Sequence, residues 1–287
     1  MRVIVILIFL LVSNSLKGQL SGSIYDKDNG EKLSFVNIWY SNDEVRLGTT
    51  SDETGSFKFS ELDTSRFLTF NKVGYEVLTL KPVSNICDVY LNKIKENRLQ
   101  TTEELDEPRR GRMGIDFENL TSIVSLSTTK SEPTINAQYF AADEFHSYQL
   151  DKINLSLKNK KKSLINIRIY EATEDQKPGN LLYFKDIIRT ISVGKEVHKI
   201  NVKDLDIRIP ENGFFIGIEK LILDQNKISL EETDFNTNQE VTVNEYYPSL
   251  KLYKNDNSNI IFSYINGDWR KWNKSDLSLG INLTLKR

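Results

Sequence analysis

Gly48-Thr49-Thr50-Ser51-Asp52-Glu53-Thr54-Gly55-Ser56-Phe57-Lys58-Phe59 decides how the chain is read. Phe57 and Phe59 alternate with polar neighbours, as in a strand with one buried face. Ahead of them, Asp52-Glu53-Thr54-Gly55 puts an Asx residue and a glycine where a tight hairpin needs them. The same grammar runs outward in both directions. Val36, Ile38 and Tyr40 share one face, as do Leu68 and Phe70, Leu78 and Leu80, and Val89 and Leu91. Asp26-Lys27-Asp28-Asn29-Gly30 supplies a second turn. Strands about ten residues apart with no helical pattern between them predict an antiparallel sandwich.

Beyond Asn92 the alternation stops. Residues 93–119 are crowded with charge, punctuated by Pro108, Gly111 and Gly114, and read as a linker. Arg109-Arg110-Gly111-Arg112 within it is a basic contact patch or, with four acids just upstream, solvated linker charge. Alternation then resumes. Ile153, Leu155 and Leu157 form one face, and Ile165, Ile167 and Ile169 another, opposed by Asn166, Arg168 and Tyr170. Lys158-Asn159-Lys160-Lys161-Lys162-Ser163 reads as a solvated hairpin tip. About nine or ten strand candidates follow one another to Leu285, the size of a jelly-roll-like sandwich. The expected fold is therefore all-β, with an N-terminal sandwich at 19–92 and a jelly-roll-like sandwich at 120–287.

The N-terminus predicts export. Met1-Arg2 precedes ten unbroken apolar residues, Val3 to Val12, and small polar residues follow. Ten helical residues span about 15 Å, half of a ~30 Å hydrocarbon core, so residues 1–18 read as a signal peptide and no transmembrane span is expected after its removal. The expected location is the periplasm, the outer cell surface or the medium of a bacterium.

Composition excludes several chemistries. The 287 residues carry 38 basic and 40 acidic side chains, a net charge of −2, which gives no positive field for nucleic acid. One cysteine, Cys87, makes no internal disulfide and reads as a small core residue. Two histidines, His146 and His198, with that cysteine cannot build a Cys/His-rich zinc site, so no metal or other cofactor is expected. No G-x-S-x-G, P-loop or G-x-G-x-x-G occurs. Asp143-Glu144 and Glu231-Glu232 are adjacent pairs, which a strand would point to opposite faces, and no catalytic residue is assigned. Asp26, Asp28 and Asn29 resemble the start of a calcium loop, but position twelve is Asn37 where a bidentate glutamate is needed.

Residues 20–92 resemble the carboxypeptidase-regulatory-like domain, a transthyretin-like β-sandwich common in exported bacterial proteins. The resemblance lies in Gly22-Ser23-Ile24-Tyr25-Asp26, Gly30-Glu31-Lys32-Leu33, Val36-Asn37-Ile38, the quoted stretch from Gly48 to Phe57, and Leu68-Thr69-Phe70-Asn71-Lys72-Val73-Gly74-Tyr75. It implies a fold and not a site. Of the contexts known for this domain, a zinc carboxypeptidase needs H-x-x-E, and here His146 is followed by Gln149 and His198 by Asn201. An outer-membrane transporter needs a 22-stranded barrel, for which the chain after Asn92 is too short. Residues 135–285 look more loosely like the jelly-roll modules that follow this domain, some of which bind carbohydrate.

One cluster suggests a ligand. Tyr246-Tyr247, Trp269 and Trp272 lie in polar surroundings, the tryptophans three apart in what reads as a short polar loop, Asn266-Gly267-Asp268-Trp269-Arg270-Lys271-Trp272-Asn273. Aromatic rings in such a setting can stack on the apolar face of a sugar. The alternative is that these rings cap and edge the core. The resulting expectation is an exported, non-enzymatic cell-envelope protein, a docking sandwich joined to an interaction module, with an envelope protein or glycan as partner. Carbohydrate binding through the four aromatics is the alternative, and a hydrolase with an unrecognised site is the third.

Overall fold

A computed structural model describes residues 19–40, 47–59, 65–83, 87–95, 109–117, 119–126, 131–234, 238–255, 259–274 and 276–287. The expected signal peptide and most of the expected linker lie outside the described residues.

The N-terminal sandwich consists of β1 (Leu20–Asp26), β2 (Asn37–Tyr40), β3 (Gly48–Thr50), β4 (Ser56–Phe59), β5 (Leu68–Asn71), β6 (Leu78–Leu80) and β7 (Val89–Leu91). They form two sheets, β4-β1-β7 and β3-β2-β5-β6. All described pairings are antiparallel except β1 with β7, where Ile24 lies beside Val89. The apolar faces read from the sequence meet between the sheets. Leu20, Ile24, Ile38, Leu68, Phe70 and Leu91 are sealed from water, and Phe57 meets Phe70 edge-on at 5.9 Å. The quoted turn forms as expected: Asp52 Oδ1 accepts the amides of Thr54 (2.8 Å) and Ser56 (3.0 Å). Gly55 closes the turn at φ +74°, which a β-carbon would disfavour. Asp26 plays the same part in its own turn, accepting from Asp28 at 2.8 Å. The calcium-like stretch is thus a hairpin turn.

The C-terminal sandwich opens with β8 (Arg110–Gly114) and β9 (Ser122–Leu126). Next come β10 (Ile135–Phe140), β11 (Gln149–Lys158), β12 (Ser163–Ala172), β13 (Pro178–Leu181), β14 (Ile187–Ile191), β15 (Val197–Asn201) and β16 (Phe214–Glu219). The chain then forms β17 (Lys227–Asp234), β18 (Gln239–Tyr246), β19 (Ser249–Lys254), β20 (Ile261–Ile265), β21 (Asp268–Lys271), β22 (Leu277–Leu279) and β23 (Ile281–Lys286). One sheet runs β13-β12-β16-β10-β20-β21, with β14 also on β12. The other runs β22-β19-β11-β23-β8, with β15 on β11 and β9 on β19. Ile165, Ile167 and Ile169 of the first sheet share one core with Ile153, Leu155, Leu283 and Leu285 of the second. Among the described residues, strands β17 and β18 pair only with each other and form an arm.

Two expectations need correction. The span read as linker contains a strand, because β8 pairs with β23 along its whole length. Its inward residues are Gly111, set against Phe145, and Met113, so charge on the outer face hid the alternation. The tryptophan segment, read as a loop, contains the four-residue strand β21.

Candidate functional site

Alternation on β12 gives it two faces. Ile165, Ile167 and Ile169 enter the sandwich core, so Asn166, Arg168 and Tyr170 must face the other way. The antiparallel register places Asn166 opposite Glu219 of β16, next to Arg168. The N-terminal sandwich lies over this face. Arg168 Nε donates to Glu219 Oε2 at 2.9 Å, Nη2 donates to Oε1, and Nη1 reaches Asn71 Oδ1 at 2.9 Å. Asn166 donates to Glu219 at 2.7 Å and to Asp186 at 2.8 Å. Asn37 of β2 donates to Glu219 and accepts from Thr50 at 2.7 Å. Lys72 pairs with Asp186 and also donates to Ser34 O at 2.9 Å. Glu219 is 0% exposed and Arg168 5%. Burial alone would depress the Arg168 guanidinium, and the Glu219 carboxylate more than offsets this, raising its pKa.

Packing reinforces this contact. Trp39 meets Tyr264 edge-on at 6.4 Å. Phe35, at φ 56°, joins Leu164, Leu221 and Leu223 in a cluster drawn from both sandwiches. Gly48 N–H donates to Ser131 O at 2.5 Å, and a β-carbon on Gly48 would lie 2.3 Å from Pro133, so only glycine permits the approach. Most of the cluster's donors and acceptors are turned on one another: Asn37, Asn166, Arg168 and Glu219 are buried, while Asp186 is partly exposed and Glu219 also borders a cavity.

The four aromatics singled out in the sequence separate into two places. Tyr246 and Tyr247, both buried, line a cavity of about 200 Å³ with Pro248, Lys220, Glu132 and Asn136. The Tyr246 hydroxyl lies 3.1 Å from Ser131 Oγ, and the Lys220 amine sits 5.2 Å from the centre of its ring. Burial pushes the Lys220 amine down to about 7, with Glu132 acting in the opposite sense. Trp272 donates its indole N–H to Ser263 Oγ at 2.8 Å, and Ser263, which also lines the cavity, donates to Asn136 at 2.6 Å. Trp269 goes elsewhere. It packs edge-on against Tyr170 (5.2 Å, 86°) and tilts against Tyr264 (5.2 Å, 60°) on the sheet's outer face. Three residues apart means opposite faces once the segment is extended, so Trp269 and Trp272 do not make one platform.

Sequence reading missed Lys220 and Glu132 of the cavity, and Arg168 and Glu219 of the domain contact. One signal was present: Glu219-Lys220 closes an apolar strand with two opposite charges. The other singled-out groups are held by backbone. His198 Nε2 lies 2.9 Å from Lys195 O, and burial lowers its pKa. His146 Nδ1 lies 3.4 Å from Asp143 O. Cys87 is half-buried, and burial raises its thiol pKa. A broader groove of about 900 Å³ runs between the sandwiches, lined by Thr49, Asp52, Ser56 and Lys58 on one side and Asp224 and Lys227 on the other.

Comparison with known proteins reaches the N-terminal part. No curated protein matches the chain. A solved structure of the infectious bursal disease virus Gx strain aligns over 94% of this chain and 64% of its own, at 10% identity and a TM-score of 0.28. The chain thus spans less than two thirds of that protein's length. Residues 20–102 match the family described as CarboxypepD_reg-like domain, ten residues beyond the end at 92 read from the sequence. The first sandwich, β1 to β7, falls within this match.

Proposed function

We propose that the chain is an exported, non-catalytic component of a bacterial cell envelope, in which a docking sandwich and an interaction sandwich act as one rigid body. The observation that carries the reading is the buried contact between them, where Arg168 and Glu219 of one body meet Asn37 and Asn71 of the other. Such a contact holds orientation in a way that a flexible tether cannot. Export rests on the signal-like residues 1–18. The test is expression of the full chain in a bacterial host, followed by fractionation and intact-mass measurement. A processed chain in the envelope or medium, inert in a peptidase and glycosidase panel with and without chelator, is expected. An unprocessed cytoplasmic chain, or turnover in that panel, overturns it.

Carbohydrate binding is the second reading, favoured by the cavity that Tyr246 and Tyr247 line with Lys220, Glu132 and Asn136. A glycan screen on wild type and on a Lys220→Ala variant of that cavity separates the two readings. No glycan hit, or hits indifferent to the cavity variant, removes the sugar reading.

A further inference from the structure

Two surface features remain unused by this reading, and they fit one another. The first is the β17–β18 arm. It has eight cross-strand pairs, takes no third strand among the described residues, and has an exposed outer half. A two-stranded ribbon is at best marginally stable in water, so such an arm needs something to lie against. From Lys227 to Tyr246 it carries Glu231, Glu232, Asp234 and Glu240, together with Glu245, which Lys160 pairs at 3.4 Å, against the single Lys227 of the arm itself. Tyr247 N–H donates to Asn226 O, which fixes the phase of the ladder. Ser229, Glu231 and Thr233 therefore turn their backbone groups away from β18, along the free edge.

The second feature is β8. It pairs with β23 on one side and takes no strand on the other among the described residues. Arg287 N–H donates to Arg109 O and Ile115 N–H to Ile281 O. Arg110, Arg112 and Gly114 therefore turn their backbone groups outward. Both arginine side chains are exposed, and Arg109, Lys286 and Arg287 lie beside them. Cross-strand like charges, such as Arg110 opposite Lys286, are unfavourable until an acidic partner arrives.

We propose that the acidic β17–β18 arm of one copy adds as a strand to the basic edge β8 of a second copy of this chain. Three outward residues on β17 meet three on β8, a matching length of about 13 Å at 3.3 Å per residue. Glu231 and its neighbours then face Arg110 and Arg112. Because arm and edge are different surfaces, the contact is reciprocal in a two-fold dimer or propagates head to tail.

Light scattering on the full chain tests this from micromolar to millimolar concentration, at low salt and at about 0.5 M salt, where screening removes exposed charge pairs. Wild type associates at low salt and dissociates at high salt. Arg110→Glu/Arg112→Glu and, separately, Glu231→Lys/Glu232→Lys/Glu240→Lys each lose association at least about tenfold, and mixing the two variants restores it. Circular dichroism matching wild type separates lost contact from lost fold, and the β8 variant decides alone if the arm variant misfolds. A wild type that stays monomeric throughout overturns the proposal. So does association that neither reversal changes, which would leave the arginines as protection of an edge strand.

Discussion

The two faces of β12 are equally dry and physically opposite. Ile165, Ile167 and Ile169 are buried among aliphatic side chains, while Asn166 and Arg168 are buried among polar partners. Apolar burial is graded: each methylene removed from the isoleucine face costs its own transfer free energy and a share of cavity. The polar face is close to all-or-none, because removing one partner strands another that has already lost its water. The first face supplies stability, and the second sets which bodies meet and at what angle.

The sharpest way to break the comparison is Arg168→Ala. It leaves the Glu219 carboxylate buried without its bidentate partner, and a loss of about 3–5 kcal/mol is expected in denaturant unfolding. A cost below about 1 kcal/mol would mean that water reaches the contact. Thr50→Val comes next. The Thr50 hydroxyl donates to Asn37 and accepts from Ile222 N–H at 2.8 Å, so its loss orphans buried groups on both bodies. About 1–3 kcal/mol is expected by the same measurement, with broadening of the domain arrangement in small-angle scattering. Ile167→Val sharpens the contrast from the other side. It is expected to cost about 0.5–1.5 kcal/mol and leave the scattering curve unchanged; an altered curve would show that the two faces are coupled.

The smallest effect belongs to Asp26, a buried carboxylate away from the domain contact. The Tyr75 hydroxyl, at 2.7 Å, holds it below the usual carboxylate range against the opposing effect of burial, helped by the amides of Asp28 and Asn29 and by Lys93. Its stabilisation is therefore complete above the unfolded value of about 3.9 and is lost as pH falls through the depressed folded value. Asp26→Asn is expected to flatten the acid limb of stability against pH. An unchanged limb would show that the hydroxyl contact does not select the ionised form.

Period-two alternation was enough to find the core strands, because each sheet's inward face is written in its own residues. It could not show that the opposite faces of β2 and β5 are buried as well. Asn37, Trp39, Thr69 and Asn71 look like solvent-facing residues until a second body covers them. For the same reason Arg168 and Glu219 read as ordinary surface charge. Strand β8 was masked by its composition, since a glycine and a methionine do its inward packing. The tryptophans were legible as unusual but not as separated, because their separation depends on β21 pairing with β20. Tyr246 and Tyr247 were found beside a cavity whose charged members come from distant segments.

Phe35 reaching Leu164, Leu221 and Leu223, and Gly48 lying against Pro133, have an evolutionary consequence. Recombination that replaced either half with a distant homologue would set mismatched amides and rings against the retained surface. The two halves are expected to have been inherited together, with substitutions along the seam occurring in compensating pairs.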